Sequence, residues 1–179
     1  MPVILYKMKH NLFTYDIRVQ APIGVAKRDI LLLSYTRYDN RSRVIAHGLK
    51  RSIPDAITTA AFQMSPCLPE NCVMVPMPSH TGVATYTLQL ASLMSEISGA
   101  KVLDCLKGTP RLTNYAAKRS GHSLRLKDFG FYLSDDLPED KVVCLIDNCI
   151  DRGATAFAAA NVIGRCVVLS YAMTGVLIV

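Results

Sequence analysis

The chain has 179 residues, half of them apolar by a broad count, with 19% charged and a formal net charge of +6. That length suits one compact domain or a core with a small appendage, and the apolar content excludes wholesale disorder. The excess charge is local: Lys107, Arg111, Lys118, Arg119, Arg125 and Lys127 stand in residues 106–127 with no acidic residue among them.

In chain order, residues 3–8 and 13–19 read as two short strands, with the polar break Lys9-His10-Asn11 predicting a hairpin. Residues 29–35 carry Ile-Leu-Leu-Leu and predict a third strand. From Asn40 onward Val44, Ile45, Leu49, Ile53, Ala56 and Ile57 recur at helical spacing, and Pro54 breaks one helix from the next. These first 65 or so residues read as a preface to the central sheet, with residues 1–40 as an N-terminal hood and 41–179 as the core.

The remainder alternates. Strands are expected at 72–77, 101–106, 141–147 and 165–171, and helices at 84–97 and 154–163. This rhythm predicts an α/β fold with a doubly wound, mainly parallel sheet and ligands at the carboxyl ends of its strands. Between them, residues 107–139 form a long basic loop, of the kind used as a functional lid or left as an insertion. Its charge suits an anionic partner, either nucleic acid or a phosphorylated small molecule, and equally a solvated mobile loop. One tyrosine, Tyr115, and no Phe within the basic stretch make a poor base-stacking platform.

Six cysteines lie at 67, 72, 105, 144, 149 and 166; Cys67 and Cys72 alone have poor zinc spacing, and the others sit in or beside apolar runs. They read as reduced, structural thiols, which points to a cytoplasmic location. The N-terminus lacks the basic and apolar regions of a signal peptide, and the apolar tail 166–179 is too short for a membrane helix.

The chemistry concentrates after Val142-Val143-Cys144-Leu145-Ile146, a five-residue apolar run typical of a strand covered on both faces. It leads into Asp147-Asn148-Cys149-Ile150-Asp151-Arg152-Gly153-Ala154-Thr155 and an Ala-rich helix. Gly153 permits a tight turn, so amides at the helix start converge on an anion, aided by the Thr155 hydroxyl and the helix dipole. Asp147 and Asn148, just off the strand end, suit sugar hydroxyls or a metal-bound sugar. The bland alternative is a tight turn capped by Asp151 or Thr155.

This stretch resembles the phosphoribosyl-diphosphate (PRPP) motif of type I phosphoribosyltransferases: apolar strand, acidic pair, variable pair, then a small polar pair, Gly, any residue and Thr. The resemblance implies that Asp147 and Asn148 hold ribose hydroxyls, and that Asp151, Arg152, Gly153, Ala154 and Thr155 wrap the 5-phosphate. Asp147 and Asp151 take the catalytic positions, and Mg2+ is implied with PRPP, with Asp147 acting on it through the ligand. Asn148 stands where an acidic residue is expected and Arg152 where a Thr or Ser is. Binding survives such changes more readily than catalysis does, and a carboxylate restored at 148 is expected to strengthen Mg2+-dependent binding.

A second segment, Val73-Met74-Val75-Pro76-Met77-Pro78-Ser79-His80-Thr81-Gly82, looks like the diphosphate loop of the same superfamily, in the Val-Pro-x-Pro version of ComF-like competence proteins. The cysteine-rich zinc module of that branch is absent. By this resemblance Ser79, His80, Thr81 and Gly82 face the diphosphate, with Arg111, Lys118 and Arg119 supplied by the basic loop as a closing lid. The implied function is binding of PRPP or a nucleotide-like ligand, with transfer of phosphoribose to a base. The alternative is a catalytically weak nucleotide sensor or ComF-like DNA uptake factor. A homodimer is compatible with this reading, and no membrane partner is expected.

Overall fold

A computed structural model describes residues 13–17, 30–121 and 124–174. Its centre is a six-stranded sheet: β1 (Phe13–Ile17), β2 (Ile30–Arg37), β3 (Cys72–Pro76), β4 (Lys101–Val102), β7 (Val142–Ile150) and β8 (Cys166–Met173), in the order β1-β2-β8-β7-β3-β4. Five of these strands run parallel, and β1 pairs antiparallel with β2 at one edge. The architecture is α/β, consistent with a doubly wound sheet. The strand expected at residues 3–8, with its hairpin, lies outside the described residues.

The expectation that the first 65 residues stand apart from the central sheet is corrected by β2, which pairs along its length with β8. The physical reason is burial on both faces. Ile30 and Leu32 face one core, and Leu33 faces the other. A strand so apolar is stable only inside a sheet.

Helices cover both faces. On one side α1 (Asn40–Lys50), α2 (Pro54–Met64) and α3 (Tyr86–Ser98) bury Leu49, Met64, Leu90 and Met94 against Met74, Cys144, Ile146 and Leu169. On the other, α5 (Ala154–Ile163) packs Phe157, Ala159 and Ala160 on Val75, Leu145 and Val168. Truncating a residue such as Leu90, which has no exposed surface, costs about 2–5 kcal/mol. The helix ends obey local chemistry. Asp39 and Ser42 form a reciprocal capping box on α1, Pro54 opens α2, and Gly99 ends α3 at φ 76°.

The strand expected at 101–106 is split. Its first two residues form β4; the chain then leaves the sheet, and β5 (Leu106–Lys107) pairs with β6 (Tyr132–Leu133) as a separate ribbon. Residues between them carry α4 (Asn114–Arg119) and a 3-10 turn over Leu126–Phe129. The basic segment is therefore a folded strap, anchored by the fully buried Phe129 and Leu106.

All six cysteines are free, five of them buried. Among the described residues no helix is long and apolar enough to cross a membrane.

Candidate functional site

The central strand β7 runs further than its sequence pattern predicts, because β8 continues to pair with it through Cys149 and Ile150. Asp147 therefore lies within the strand. It is only 7% exposed; its Oδ1 accepts from the Asn148 amide at 2.7 Å, and its Oδ2 has no hydrogen-bond partner among the described residues. Burial pushes its carboxyl up to about 6, against the opposing effects of the Asn148 amide and the positive charges of Lys50 and Arg111. Beside it in register stands Ser170, and beside that Ser34, forming a polar row across β7, β8 and β2. Both serine hydroxyls turn back on nearby carbonyls, Ser34 to Thr36 at 3.0 Å and Ser170 to Ala172 at 2.9 Å.

Asn148 has a different role from the one its position in the motif implies. Successive strand residues face opposite sides, and Asn148 serves the three-helix side. Its Oδ1 accepts from the Tyr86 hydroxyl at 3.1 Å, and its Nδ2 donates to the Ala46 carbonyl at 3.0 Å. One buried amide thus ties β7 to both α1 and α3. The Tyr86 hydroxyl is itself held above its ordinary pKa by burial and then by the nearby Asp147 and Cys149, with Arg111 opposing. Sequence reasoning missed Tyr86, Ala46 and Lys50. Local pattern carries no signal for partners 62 and 102 residues away.

Gly153 is the N-cap of α5 at φ 83°, and the first turn of α5 receives no side-chain cap. Asp151 and Arg152 are exposed, while Ala154 and Thr155 are half-buried. The cap alternative for Asp151 is not what forms: Thr174 Oγ1 donates to the Asp151 carbonyl at 2.7 Å and to its carboxylate at 3.1 Å. The orphan amides of an uncapped helix start, at the positive end of its dipole, suit an anion.

The second turn begins beside the first, since the Met77 amide donates to the Ile146 carbonyl at 3.0 Å. Several of its polar groups are used internally. Ser79 and Thr81 hydroxyls meet at 2.7 Å, the Thr81 amide donates to Ser79 Oγ at 3.2 Å, and the Gly82 amide, offered from sequence as a diphosphate donor, donates to the Ser79 carbonyl at 3.1 Å. The strap lies on this turn: the Gly108 amide donates to the Gly82 carbonyl at 2.8 Å and the Arg111 amide to the His80 carbonyl at 2.9 Å. The His80 side chain is exposed.

Of the basic strap residues, Arg111 is half-buried with its guanidinium 4.3 Å from the Phe129 ring centroid, and burial lowers its pKa while Tyr86 and Asp147 oppose that shift. Arg119 is exposed, 5.9 Å from the Tyr115 ring. The Lys118 side chain lies outside the described residues. A groove of about 660 Å³ opens at the other end of the sheet, lined by Cys72, Gly99, Lys101 and Lys141 at the amino ends of β3, β4 and β7. We place the candidate site at the carboxyl ends instead, where parallel sheets gather ligands and where the buried carboxylate stands.

Fold and site together define an α/β protein whose parallel sheet carries a buried carboxylate and an uncapped strand–turn–helix at its carboxyl edge. No protein-family model matches the chain, and neither does any curated protein sequence.

Proposed function

We propose that this chain is a phosphoribosyltransferase-like protein that binds a ligand carrying ribose 5-phosphate, either PRPP or a nucleotide, at the β7–α5 turn. The observation that carries the reading is Asp147, a nearly buried carboxylate with one oxygen open, in the strand that leads to the uncapped start of α5. In this reading the amides of residues 153–155 and the Thr155 hydroxyl hold the 5-phosphate. Asp147, ionised above about pH 6, accepts from a ribose hydroxyl.

Among the described residues no three metal-ligating side chains cluster. Mg2+ would arrive with the ligand, its charge neutralising the ligand's phosphates, and Asp147 would touch it only through the bound sugar. Transfer of phosphoribose to a base asks for separation of charge at the ribose. One buried carboxylate, with Asn148 committed to Tyr86 and Ala46 and the exposed Asp151 bonded by Thr174, favours binding over transfer. The reading that follows is a nucleotide sensor on a transferase-like fold. Direct nucleic-acid binding by the basic strap is the weaker reading, because residues 106–127 carry one aromatic side chain for base stacking, Tyr115, and Arg111 packs inward on Phe129. The test is calorimetry with ribose 5-phosphate at pH 7.5. Saturable binding competed by inorganic phosphate is expected; no saturation up to millimolar ligand overturns the reading.

A further inference from the structure

The fold changes which positive charges are available to a partner. In the strap, Lys107 pairs with Asp104 at 2.7 Å, Arg125 reaches Asp128 at 3.7 Å and Arg111 packs on Phe129, while Arg119 and Lys127 stay exposed. Helix α1 and its C-cap carry Arg43, His47, Lys50 and Arg51, all exposed. Among the described residues no salt bridge reaches Arg43, Lys50 or Arg51. The nearest carboxylates in sequence are Asp39, which caps α1 through the amides of Arg41 and Ser42, and the exposed Asp55 in the first turn of α2.

Residues 43, 47, 50 and 51 recur at i, i+4, i+7 and i+8, so they share one side of the helix. His47 stands among the three cations. Burial and then the charges of Arg43, Lys50 and Arg51 hold its pKa below the ordinary value, and its Nε2 lies 3.1 Å from the Tyr38 hydroxyl. The rest of the helix is committed to the protein. Ser42, Ala46 and Leu49 are buried, and Gly48 sits so close to α2 that a Cβ there would meet the Ala56 Cβ at 2.6 Å. The cationic side is thereby fixed in direction and faces solvent.

We propose that this side of α1 binds the phosphate backbone of a nucleic acid without reading its bases. From residue 43 to residue 51 is about 12 Å along a helix, enough to face about three phosphates of one strand at roughly 3.4 Å each. The forked donors of arginine suit phosphate, and backbone contacts position a strand without specifying its sequence. A membrane surface fits less well, since the apolar side of α1 is buried and Val44 is the one exposed apolar residue of the helix. An acidic protein partner asks for a buried aromatic or aliphatic anchor, which this side of α1 lacks. The proposal is independent of the ribose-phosphate reading.

Fluorescence anisotropy with labelled single-stranded DNA, duplex DNA and RNA, alongside cosedimentation with phosphatidylserine–phosphatidylcholine vesicles, tests it. Salt-dependent binding of any of the three supports the proposal, and their order of affinity identifies the source. Three cations predict a log–log salt slope between about −2.1 and −2.7, a loss of roughly 20- to 40-fold from about 50 to 200 mM salt. Arg43→Gln combined with Arg51→Gln is expected to weaken binding about tenfold and to leave ribose 5-phosphate calorimetry unchanged. Lys50 is kept because its charge reaches Asp147. The charge-matched strap pair, Arg125→Gln with Lys127→Gln, is expected to weaken binding less than about threefold. Equal losses in the two pairs would assign the attraction to net charge or to the strap and overturn the proposal. Absence of salt-dependent binding to all three nucleic acids overturns it too, as does vesicle binding that the α1 pair abolishes while nucleic-acid binding is unchanged.

Discussion

Two turns leave the carboxyl ends of adjacent parallel strands, and each leads into a helix with no side-chain cap, yet they use their own polar groups to different extents. In the β3–α3 turn the amides of Ser79, Thr81 and Gly82 are bonded within the turn, one of the Ser79 and Thr81 hydroxyls donates to the other, and the carbonyls of His80 and Gly82 accept from the strap. The β7–α5 turn ends at Gly153 with no side chain capping the helix it opens. Position at the carboxyl edge of the sheet is therefore not enough to leave a turn's polar groups open to a ligand. What matters is whether polar groups remain to be satisfied once the protein has satisfied itself.

The largest effect should come from changing the β7–α5 turn. Gly153→Ala forces a side chain into φ 83° and places a Cβ 2.6 Å from the Phe157 ring. Strain of about 1–3 kcal/mol should appear in urea denaturation, and ribose 5-phosphate affinity should fall about 100-fold, or about 2.7 kcal/mol, in calorimetry. Undiminished affinity in the folded variant would place the phosphate elsewhere and erase the contrast between the turns.

Asn148→Asp separates the local motif from its tertiary setting. If residue 148 served the ligand, a carboxylate would strengthen Mg2+-dependent binding. In the structure the Nδ2 donor to Ala46 is lost and a carboxylate oxygen faces that carbonyl, so stability should fall by about 2–3 kcal/mol with no gain in affinity. Tighter Mg2+-dependent PRPP binding by a variant as stable as the wild type would return Asn148 to the ligand.

Asp147 sharpens the comparison through pH. Its carboxyl is raised from 3.8 to about 6 by burial, so the folded state binds the proton more tightly than the unfolded chain does. The resulting stability is fully present below the ordinary value and is lost as pH rises through about 6. The expected loss is on the order of 2 kcal/mol between about pH 4 and 7. Asp147→Asn should flatten that part of the urea-denaturation profile and remove ribose 5-phosphate binding. A variant with the wild-type pH profile would show that the strain of ionising Asp147 is relieved by its surroundings.

Local pattern made much of this protein legible. The apolar run 142–146, Gly153 and the Ala-rich segment after it were enough to place β7, the turn and α5, whose bounds match the helix expected at 154–163. Pro54 likewise separated α1 from α2, with Ile53 extended ahead of it. These features depend on side-chain period and on φ, which neighbouring residues set by themselves.

Tertiary structure decided the rest. The segment Leu33-Ser34-Tyr35 has its counterpart in Leu169-Ser170-Tyr171; Leu33 and Ser34 pair in register with Leu169 and Ser170, and Tyr35 and Tyr171 stack at 5.7 Å. That echo in the sequence was the available signal that β2 belongs in the central sheet, but an echo of three residues does not specify pairing. The commitment of Asn148 to Tyr86 and Ala46 and the docking of the strap on the 79–82 turn join residues far apart in the chain. Hydrogen-bonding groups are assigned only when all their competitors are in place, so sequence could name the polar residues at both turns but only the folded chain could determine which of them were already spent.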